Sequence, residues 1–195
     1  MQTDNRLRPE RAEPASIFAR NSAVHMSAHL PVDRLGFLQA MGNVAHSVSV
    51  VTTDGREGKF GQTVTSFCSV SADPPQILCC IRTGSPLKSA IEMNGCFAIN
   101  VLGERDFRTA EVFAGRSTEF PAYSFEHVAH GKDHNGCPIF DSASSQFSCL
   151  LTSSIGSASH AIFVGNVTDA RLGRDAPLLY RSRNYGTHVS MKRSQ

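Results

Sequence analysis

The sequence predicts a mainly β fold, in which a closed or nearly closed antiparallel barrel carries two or three peripheral helices. Stretches of strand character dominate the chain after residue 47. They do not alternate regularly with helical stretches, which argues against a doubly wound parallel sheet. The length of 195 residues fits one ordinary domain, and a domain of this size buries a core without metal or disulfide support.

Composition divides the chain into three parts. Residues 1–31 are rich in Arg, Glu, Pro, Ala and Ser and show little periodicity, which predicts a flexible N-terminal arm. The folded domain is expected over residues 32–188. The last residues, 189–195, are expected to form a C-terminal tail.

Charge and cysteine content point away from several classes of protein. The net charge is +2 and the basic residues are scattered, so we expect no nucleic-acid partner. No apolar run approaches the length of a membrane span, and the N-terminus lacks the apolar stretch of a signal peptide. The six cysteines include no CxxC pair. We therefore expect a cytoplasmic protein with free thiols, no membrane partner and no bound metal.

A helix-capping residue predicts the first helix, and runs of β-branched residues predict strands. Asp33 is a candidate helix cap, and Leu35, Leu38, Met41 and Ala45 follow at helical spacing. Further along the chain, β-branched, extended or apolar runs predict strands. These cover residues 48–53, 62–71, 76–82, 96–102, 146–153, 161–172 and 178–180.

Turn and helix signals separate these strands. Ser85 and Pro86 suit the start of a second helix, which Asn94-Gly95 ends. A third helix is predicted over residues 104–114, and residues 115–138 are expected to be rich in loops. The run QILCCIR at residues 76–82 is nearly continuously apolar, which predicts a strand that is covered on both faces.

A polar strand follows a glycine-rich loop. The glycines at 55, 58 and 61 do not form GxGxxG and no helix follows them, so a hairpin connection is the favoured interpretation. Beyond them, hydroxyl side chains occupy both faces of the predicted strand at positions 63, 65, 66, 69 and 71. A strand that faced only an apolar core would not need them. A polar ligand lying along the backbone would use them.

The helix start at Ser85 suits a phosphate. The first N–H groups of a helix are free and carry a partial positive charge, and Lys88 follows one turn in. Ser85 to Lys88 also match S-x-x-K, but the partner motifs of penicillin-recognising enzymes are missing. The residues alone therefore predict a β-barrel domain with a polar strand facing a phosphorylated ligand.

Other polar groups are open to two interpretations. His127, His130, His134 and Cys137 have no standard zinc spacing, and a solvated loop is favoured over a metal site. His160 is either a partly exposed structural histidine or a hydrogen-bond donor at a cofactor rim. Arg116 either pairs with a phosphate or serves as a surface charge.

Six motifs in order resemble the short-chain flavin reductases, which share an FMN-binding split β-barrel. The most specific is GQTVTSFCSVSADPP at residues 61–75. The others are FLQAMGNVAHSVSVVTT at 37–53, the helix at 85–95 with FAINVL at 97–102, FAG at 113–115, HAIFVG at 160–165, and PLLY at 177–180 with Tyr185. The resemblance spans residues 35–186 and implies a Greek-key antiparallel split barrel.

The resemblance implies roles for residues along the chain. Flavin-binding residues would come from the polar strand, its neighbour, the second helix start and the third helix. They are Gly61, Gln62, Thr63, Val64, Thr65, Ser66, Cys80, Ile81, Arg82, Ser85, Lys88, Val112, Phe113 and Arg116. Tyr180 and Tyr185 would flank the nicotinamide, with His160 beside them. Two departures from the family pattern, Ala45-His46-Ser47 and Gln62, bear on flavin choice or on the nicotinamide pocket.

The implied activity is hydride transfer from NADH or NADPH to FMN or FAD in a homodimer. The reduced flavin would serve a partner monooxygenase or reduce a bound acceptor such as a cobalt corrinoid, as in the corrin reductases (cob(II)yrinic acid a,c-diamide). Two alternatives use the same barrel. They are a non-catalytic flavin-binding protein and an enzyme like pyridoxamine-phosphate oxidase.

Overall fold

The computed structural model describes residues 32–191, so the predicted N-terminal arm and the end of the predicted tail lie outside the described residues. Three helices are present in this range: α1 (Arg34–Gly42), α2 (Pro86–Asn94) and α3 (Phe107–Phe113). The strands are β1 (His46–Ser47), β2 (Ser49–Thr53), β3 (Phe60–Val64), β4 (Phe67–Ala72), β5 (Pro75–Arg82), β6 (Cys96–Val101), β7 (His130–Lys132), β8 (Pro138–Phe140), β9 (Ser145–Ser157), β10 (His160–Leu172), β11 (Leu179–Arg181) and β12 (Asn184–Gly186).

The main sheet has seven strands in the order β3-β2-β6-β9-β10-β5-β4, and every pair is antiparallel. Its two edge strands, β3 and β4, are consecutive in the chain. Only Thr65 and Ser66 join them, and the Cys80 N–H donates to the Ser66 carbonyl at 2.9 Å. The sheet therefore curls back on itself, which confirms the predicted antiparallel barrel with two or three peripheral helices, and the described residues form three helices.

Two apolar clusters hold the barrel. One fills its interior and includes the fully buried Phe97 and Phe163. The other lies between β2 and α3, where Phe113 packs on Phe125 and Phe140 with ring centroids 4.8 and 5.4 Å away. Buried aromatic rings of this size contribute most of the hydrophobic stabilisation at such contacts.

The predicted single strand over residues 62–71 is wrong. The chain turns between Val64 and Phe67, because Val64 pairs with Ser49 on β2 whereas Phe67 pairs with Cys79 on β5. The two halves of the segment thus belong to opposite edges of the curled sheet. The hairpin interpretation of the glycine-rich loop is confirmed by the antiparallel pairing of β2 with β3.

The prediction that residues 76–82 are covered on both faces is also wrong within the described chain. Ile77, Cys79 and Ile81 are buried, but Leu78 and Cys80 on the opposite face are only partly buried. Alternation along a strand sends these side chains to opposite faces of the sheet. One face of β5 is therefore open to a further ligand or chain.

Helix α1 forms where its cap predicts, yet none of its residues is buried. The Asp33 carboxylate accepts a hydrogen bond from the Gly36 N–H at 2.9 Å. Leu35, Leu38 and Met41 remain 65, 48 and 42% exposed, and Ala45 lies beyond the end of the helix. The apolar spacing thus predicts the helix correctly but does not mark a face that packs on residues 32–191.

The other two helices differ in how well their bounds are predicted. Ser85 caps α2, with Pro86 at its first turn and Gly95 ending it at φ 71°. Helix α3 is shorter than the predicted 104–114, because Glu104 donates its N–H to the Ala176 carbonyl at 2.8 Å and is held in a turn before the helix. No helix among residues 32–191 is long and apolar enough to cross a membrane.

Gly61 is required by a close approach to the core. A Cβ built at Gly61 would lie 2.8 Å from Phe113 Cε1 and 3.0 Å from Phe125 Cζ. We expect Gly61→Ala to lower the free energy of unfolding by about 1–3 kcal/mol through overpacking, with a fall in Tm of roughly 2–4 °C per kcal/mol. Thermal unfolding of this variant beside Gly131→Ala, where a Cβ meets nothing within 4 Å, measures the effect. An equal Tm for the two variants would contradict it.

Candidate functional site

The site is organised around β3, one edge of the main sheet. An edge strand presents N–H and C=O groups that no neighbouring strand uses. Three cavities open along this strand and its continuation through Thr65 and Ser66. A ligand with a polar ring could therefore hydrogen-bond to the backbone along one side of it.

The first cavity lies between β3 and the start of α2 and has a volume of about 560 Å³. Four of the predicted residues line it, namely Gly61, Gln62, Arg82 and Ser85. Lys59, Tyr123 and Ser159 also line it and were not singled out from the sequence. The lining cations among the described residues are thus Lys59 and Arg82, which makes this end of the site suited to an anion.

Ser85 links the first turn of α2 to β3. Its hydroxyl accepts a hydrogen bond from the Leu87 N–H at 3.2 Å and donates one to the side-chain oxygen of Gln62. Gln62 is one of the two departures from the family pattern, and here its amide holds the helix cap against the edge strand. The arrangement fixes the N-terminus of α2 at the wall of the cavity.

Lys88 is directed away from this cavity. Its Nζ pairs with Glu92 Oε2 at 2.8 Å, one turn further along α2, and Lys88 is not a lining residue. The hydrogen bond from Lys88 lowers the pKa of Glu92, with burial opposing it and Ser154 adding a second donor. The cations that line the cavity are Lys59 and Arg82, whereas Lys88, which the sequence predicts to hold the phosphate, is not among the lining residues.

A second cavity of about 200 Å³ lies on the other side of β3. Its wall contains Thr63, Val64, Thr65, Arg116, Tyr180 and Tyr185, all of them predicted from the sequence. The Thr63 hydroxyl is already used, because it donates to the Ala110 carbonyl at 2.8 Å. Thr63 therefore ties α3 to the edge strand rather than offering its hydroxyl to a ligand.

Arg116, Glu111 and Tyr185 form a compact network at this cavity. The Arg116 guanidinium donates to both carboxylate oxygens of Glu111, at 2.9 and 3.3 Å, and to the Tyr185 hydroxyl at 3.2 Å. The Tyr185 hydroxyl in turn donates to Glu111. Burial, followed by this bond to Glu111, raises the pKa of Tyr185 to about 12. The phenol is thus held neutral and the guanidinium is fixed in direction.

We expect Glu111→Gln to lower the pKa of Tyr185, because the substitution removes the charge that disfavours the tyrosinate. At about pH 11, one unit above the ordinary value for tyrosine, the wild-type Tyr185 stays mostly protonated, whereas a larger fraction of Tyr185 is ionised in the variant, in which burial still opposes ionisation. Carbon NMR of ring-labelled tyrosine follows the change. Glu92→Gln, on α2, is the matched control and leaves the Tyr185 signal unchanged. Ionisation of Tyr185 at the same pH in wild type and Glu111→Gln would contradict the network.

A third cavity of about 680 Å³ continues from the second and shares Thr65 and Tyr180 with it. Ser66 and His46 form its floor, and the exposed apolar face of α1 forms one wall. His46 belongs to the other departure from the family pattern. The predicted strand residues therefore border three cavities in one continuous row.

Several predicted residues face the protein interior. Ile81 and Phe113 are fully buried in the two core clusters, and Phe113 packs beneath Gly61. Val112 lines a separate cavity of about 210 Å³ between α3 and Phe120. Cys80 is partly buried and holds Ser66 through its N–H. These residues support the strands of the site from the interior and do not line its three cavities.

His160 does not line the first cavity, although its neighbour Ser159 does. His160 is exposed, it pairs with Arg82 across β10 and β5, and its Nδ1 lies 2.9 Å from the Ser159 hydroxyl. The histidines of the 127–134 segment have separate partners. His127 stacks on Phe120 with centroids 4.0 Å apart, and His130 Nε2 lies 3.5 Å from Lys59 Nζ.

The chain matches a known protein family. Residues 41–188 match the family model described as the flavin reductase like domain. The chain is 34% identical over 172 residues to "FMN reductase (NADH) RutF 1" of Methylorubrum extorquens, an alignment that covers 86% of this chain and 83% of the relative.

Solved structures agree with the sequence relatives. The flavin reductase PheA2 in its native state superposes with a TM-score of 0.74 at 29% identity, covering 81% of this chain and 99% of that one. BorF, the flavin reductase component of a bacterial two-component tryptophan halogenase, gives 0.72 at 26%, covering 82% and 100%. The split-barrel architecture and the matched domain together show that this chain belongs to the flavin reductase-like family.

Proposed function

We propose that this protein uses NADH to reduce a flavin, with FMN as the preferred flavin, and that the flavin lies along β3. The observation that carries the proposal is a polar edge strand with a cation-lined cavity at the capped start of α2. Membership of the flavin reductase-like family supports the flavin, and the name of the RutF relative supports FMN and NADH. The family assigns the chain to the NADH:flavin oxidoreductases.

The phosphate of FMN would lie in the first cavity. Lys59 and Arg82 supply positive charge, and the partial positive charge at the N-terminus of α2 adds to it beside Ser85. Pro86 has no N–H, and the N–H groups of Leu87 and Lys88 already donate to Ser85. All three features lie at one end of β3, so a phosphate there leaves the strand free for the rest of the flavin. The residues at this end of β3 therefore fit the phosphate of FMN.

The ring system would lie along the continuation of β3, between the second and third cavities. Gly61 to Ser66 supply backbone groups there, and the Arg116 guanidinium, held in place by Glu111 and Tyr185, supplies a positioned cation from the far side. Tyr180 borders both cavities and offers a face for the nicotinamide. When bound, the flavin supplies the redox chemistry, since its ring accepts a hydride from NADH. The protein contributes position and polar contacts, so a dedicated acid–base pair is not required.

We further propose that the protein is a homodimer whose interface covers α1. The helix carries Leu35, Leu38 and Met41 on one exposed face, and Val44 continues it at 44% exposure. An exposed apolar face of this kind marks an interaction surface. Since it forms a wall of the third cavity beside Thr65 and Ser66, a second copy seated on it would close the flavin site.

The acceptor of the reduced flavin is proposed to be a partner oxygenase. BorF is named as the reductase component of a two-component halogenase, which supports release of reduced flavin to a second enzyme. The resemblance also implied a cobalt corrinoid as acceptor, and we treat that as a competing outcome of the assay below.

The activity assay compares four nucleotide and flavin pairings. We expect NADH oxidation, followed by the nicotinamide absorbance, to depend on added FMN and to continue over many turnovers. NADPH and FAD in place of NADH and FMN define the preference. Loss of NADH only when a corrinoid is present would overturn the proposed acceptor. No oxidation with any pairing would refute the reductase and favour a non-catalytic flavin-binding protein or a barrel of the pyridoxamine-phosphate oxidase type.

A further inference from the structure

Two buried cysteines lie against each other on the side of the barrel away from the proposed flavin site. The Cys137 Sγ is 3.4 Å from the Cys96 Sγ, and both residues belong to a small cluster with Ala98 and Ile139. Cys96 starts β6 directly after Gly95 ends α2, whereas the phosphate cavity lies at the other end of that helix. The pair therefore has no part in the proposed chemistry.

The backbone on both sides of the pair is fixed. Cys137 ends a tight turn in which its N–H donates to Asp133 Oδ1 at 2.9 Å and its carbonyl accepts from the Asp133 N–H at 2.9 Å. On the other side, the Cys96 carbonyl accepts from the Thr53 hydroxyl at 2.7 Å. The thiols thus meet in the folded state without local unfolding, and closing the gap to the sulfur–sulfur bond length of about 2 Å needs a shift of roughly 1.4 Å.

The two thiols differ in chemical character. A hydrogen bond from the Cys137 thiol lowers the pKa of Cys96 to about 7, against the opposing effects of burial and of Asp133 and Asp54. The same contact, together with burial, raises the pKa of Cys137. The contact thus favours the thiolate form of Cys96 and the protonated form of Cys137 beside it.

We propose that Cys96 and Cys137 form a reversible disulfide when the protein meets a peroxide. The Cys96 thiolate attacks one peroxide oxygen, which breaks the O–O bond, gives a sulfenic acid and releases hydroxide. The Cys137 thiol then attacks the Cys96 sulfur and displaces the sulfenic hydroxyl, which leaves as water with the thiol proton. In total, two thiols and one hydrogen peroxide give one disulfide and two waters. Two electrons pass from sulfur to oxygen.

The position of the pair allows such a modification. Cys96 is 6% exposed, which admits a water-sized oxidant, whereas Cys137 is fully buried behind it. The order of access matches the order of the two steps, with the more exposed thiol reacting first. Reduced flavin that escapes from the proposed site would react with oxygen to give peroxide, so the oxidant would arise close to the protein. The two thiols are close together whether or not the protein has the proposed reductase activity.

Three of the other four cysteines provide internal controls. Cys79 and Cys149 are buried, and burial is the main cause that raises the pKa of both, to about 12 for Cys149. Cys68 is exposed. Buried neutral thiols are expected to be inert, so Cys79 and Cys149 report on burial and Cys68 reports on simple exposure.

The test is a thiol map of the full chain after hydrogen peroxide treatment, with no NADH or flavin present. Free thiols are blocked with iodoacetamide under denaturing conditions, and the protein is digested on the C-terminal side of Lys132 and Phe140, which separates Cys137 from Cys149. We expect a peptide pair linked through Cys96 and Cys137 that is lost when dithiothreitol is added before blocking. Cys79 and Cys149 remain alkylated.

A variant separates the two steps. In Cys137→Ser the first step has no resolving thiol, so Cys96 is expected to stop at the sulfenic acid and to be trapped by dimedone. Wild-type protein in which Cys96 stays alkylated after peroxide would overturn the proposal, as would links among the control cysteines at equal yield. Since no flavin or NADH is used, this failure is distinct from failure of the proposed reductase.

Discussion

Replacing both Lys59 and Arg82 by alanine is expected to weaken FMN binding about 100-fold. Each cation contributes one charge-assisted contact to the phosphate, and about 1.4 kcal/mol for each exposed contact corresponds to a factor of ten. Both side chains line the cavity at the start of α2. Fluorescence quenching of FMN on titration with protein measures the Kd.

Two controls make this result specific for the phosphate. Riboflavin lacks the phosphate, so its Kd is expected to change by less than about threefold in the same double variant. Lys88 lies on α2 and is paired with Glu92 rather than facing the cavity. Lys88→Ala should therefore leave FMN binding nearly unchanged. An equal loss of FMN and riboflavin affinity would contradict a phosphate site here.

Introducing two charges on α1, as Leu38→Asp with Met41→Asp, is expected to dissociate the proposed homodimer. Both side chains lie on the exposed apolar face, and a buried unpaired carboxylate costs several kcal/mol, enough to raise a dimer Kd by more than about 100-fold. Light scattering during size-exclusion chromatography gives the mass directly. FMN affinity should fall as well, because α1 forms a wall of the cavity beside Ser66.

Met93→Asp is the matched control for this prediction. Met93 is a helical methionine that is 57% exposed on α2, away from the α1 face. The control is expected to keep the mass of the wild type. A wild-type protein that is monomeric at micromolar concentration, or a charged α1 variant that remains dimeric, would contradict the proposed interface.

The start and end of α2 could be predicted fully from the sequence, because their signals are local. A serine cap, a proline at the first turn and a glycine at the end each act within a few residues. The break between β3 and β4 could not be predicted in the same way. No glycine or proline marks Thr65 and Ser66, and the turn arises because each half of the segment pairs with a different strand.

The sequence also could not predict which apolar faces stay exposed. The spacing on α1 and the alternation on β5 indicate faces that need cover, but a sequence pattern does not say whether the cover comes from the same chain. In the structure, Leu38 and Leu78 both belong to faces that the described residues leave at least partly open. The proposed second copy accounts for the α1 face.

The sequence also could not predict which cations line the cavity at the start of α2. Proximity to Ser85 in the sequence favours Lys88 as the phosphate-binding cation, whereas in the structure Lys59 and Arg82 line the cavity beside Ser85 from two different strand ends. Tertiary structure brings residues 59, 82 and 123 together, and no local pattern connects them. The one signal in the sequence is the position of Lys59, three residues before the predicted polar strand that begins at Gln62.

The central claim is that a flavin lies along β3 with its phosphate at the start of α2, and a crystal structure of the protein with FMN tests it most directly. The account predicts the phosphate within hydrogen-bond distance of Ser85 and of Lys59 or Arg82, with the ring against residues 61–66. Flavin bound instead in the separate cavity between α3 and Phe120, with the β3 cavities holding only water, would contradict it.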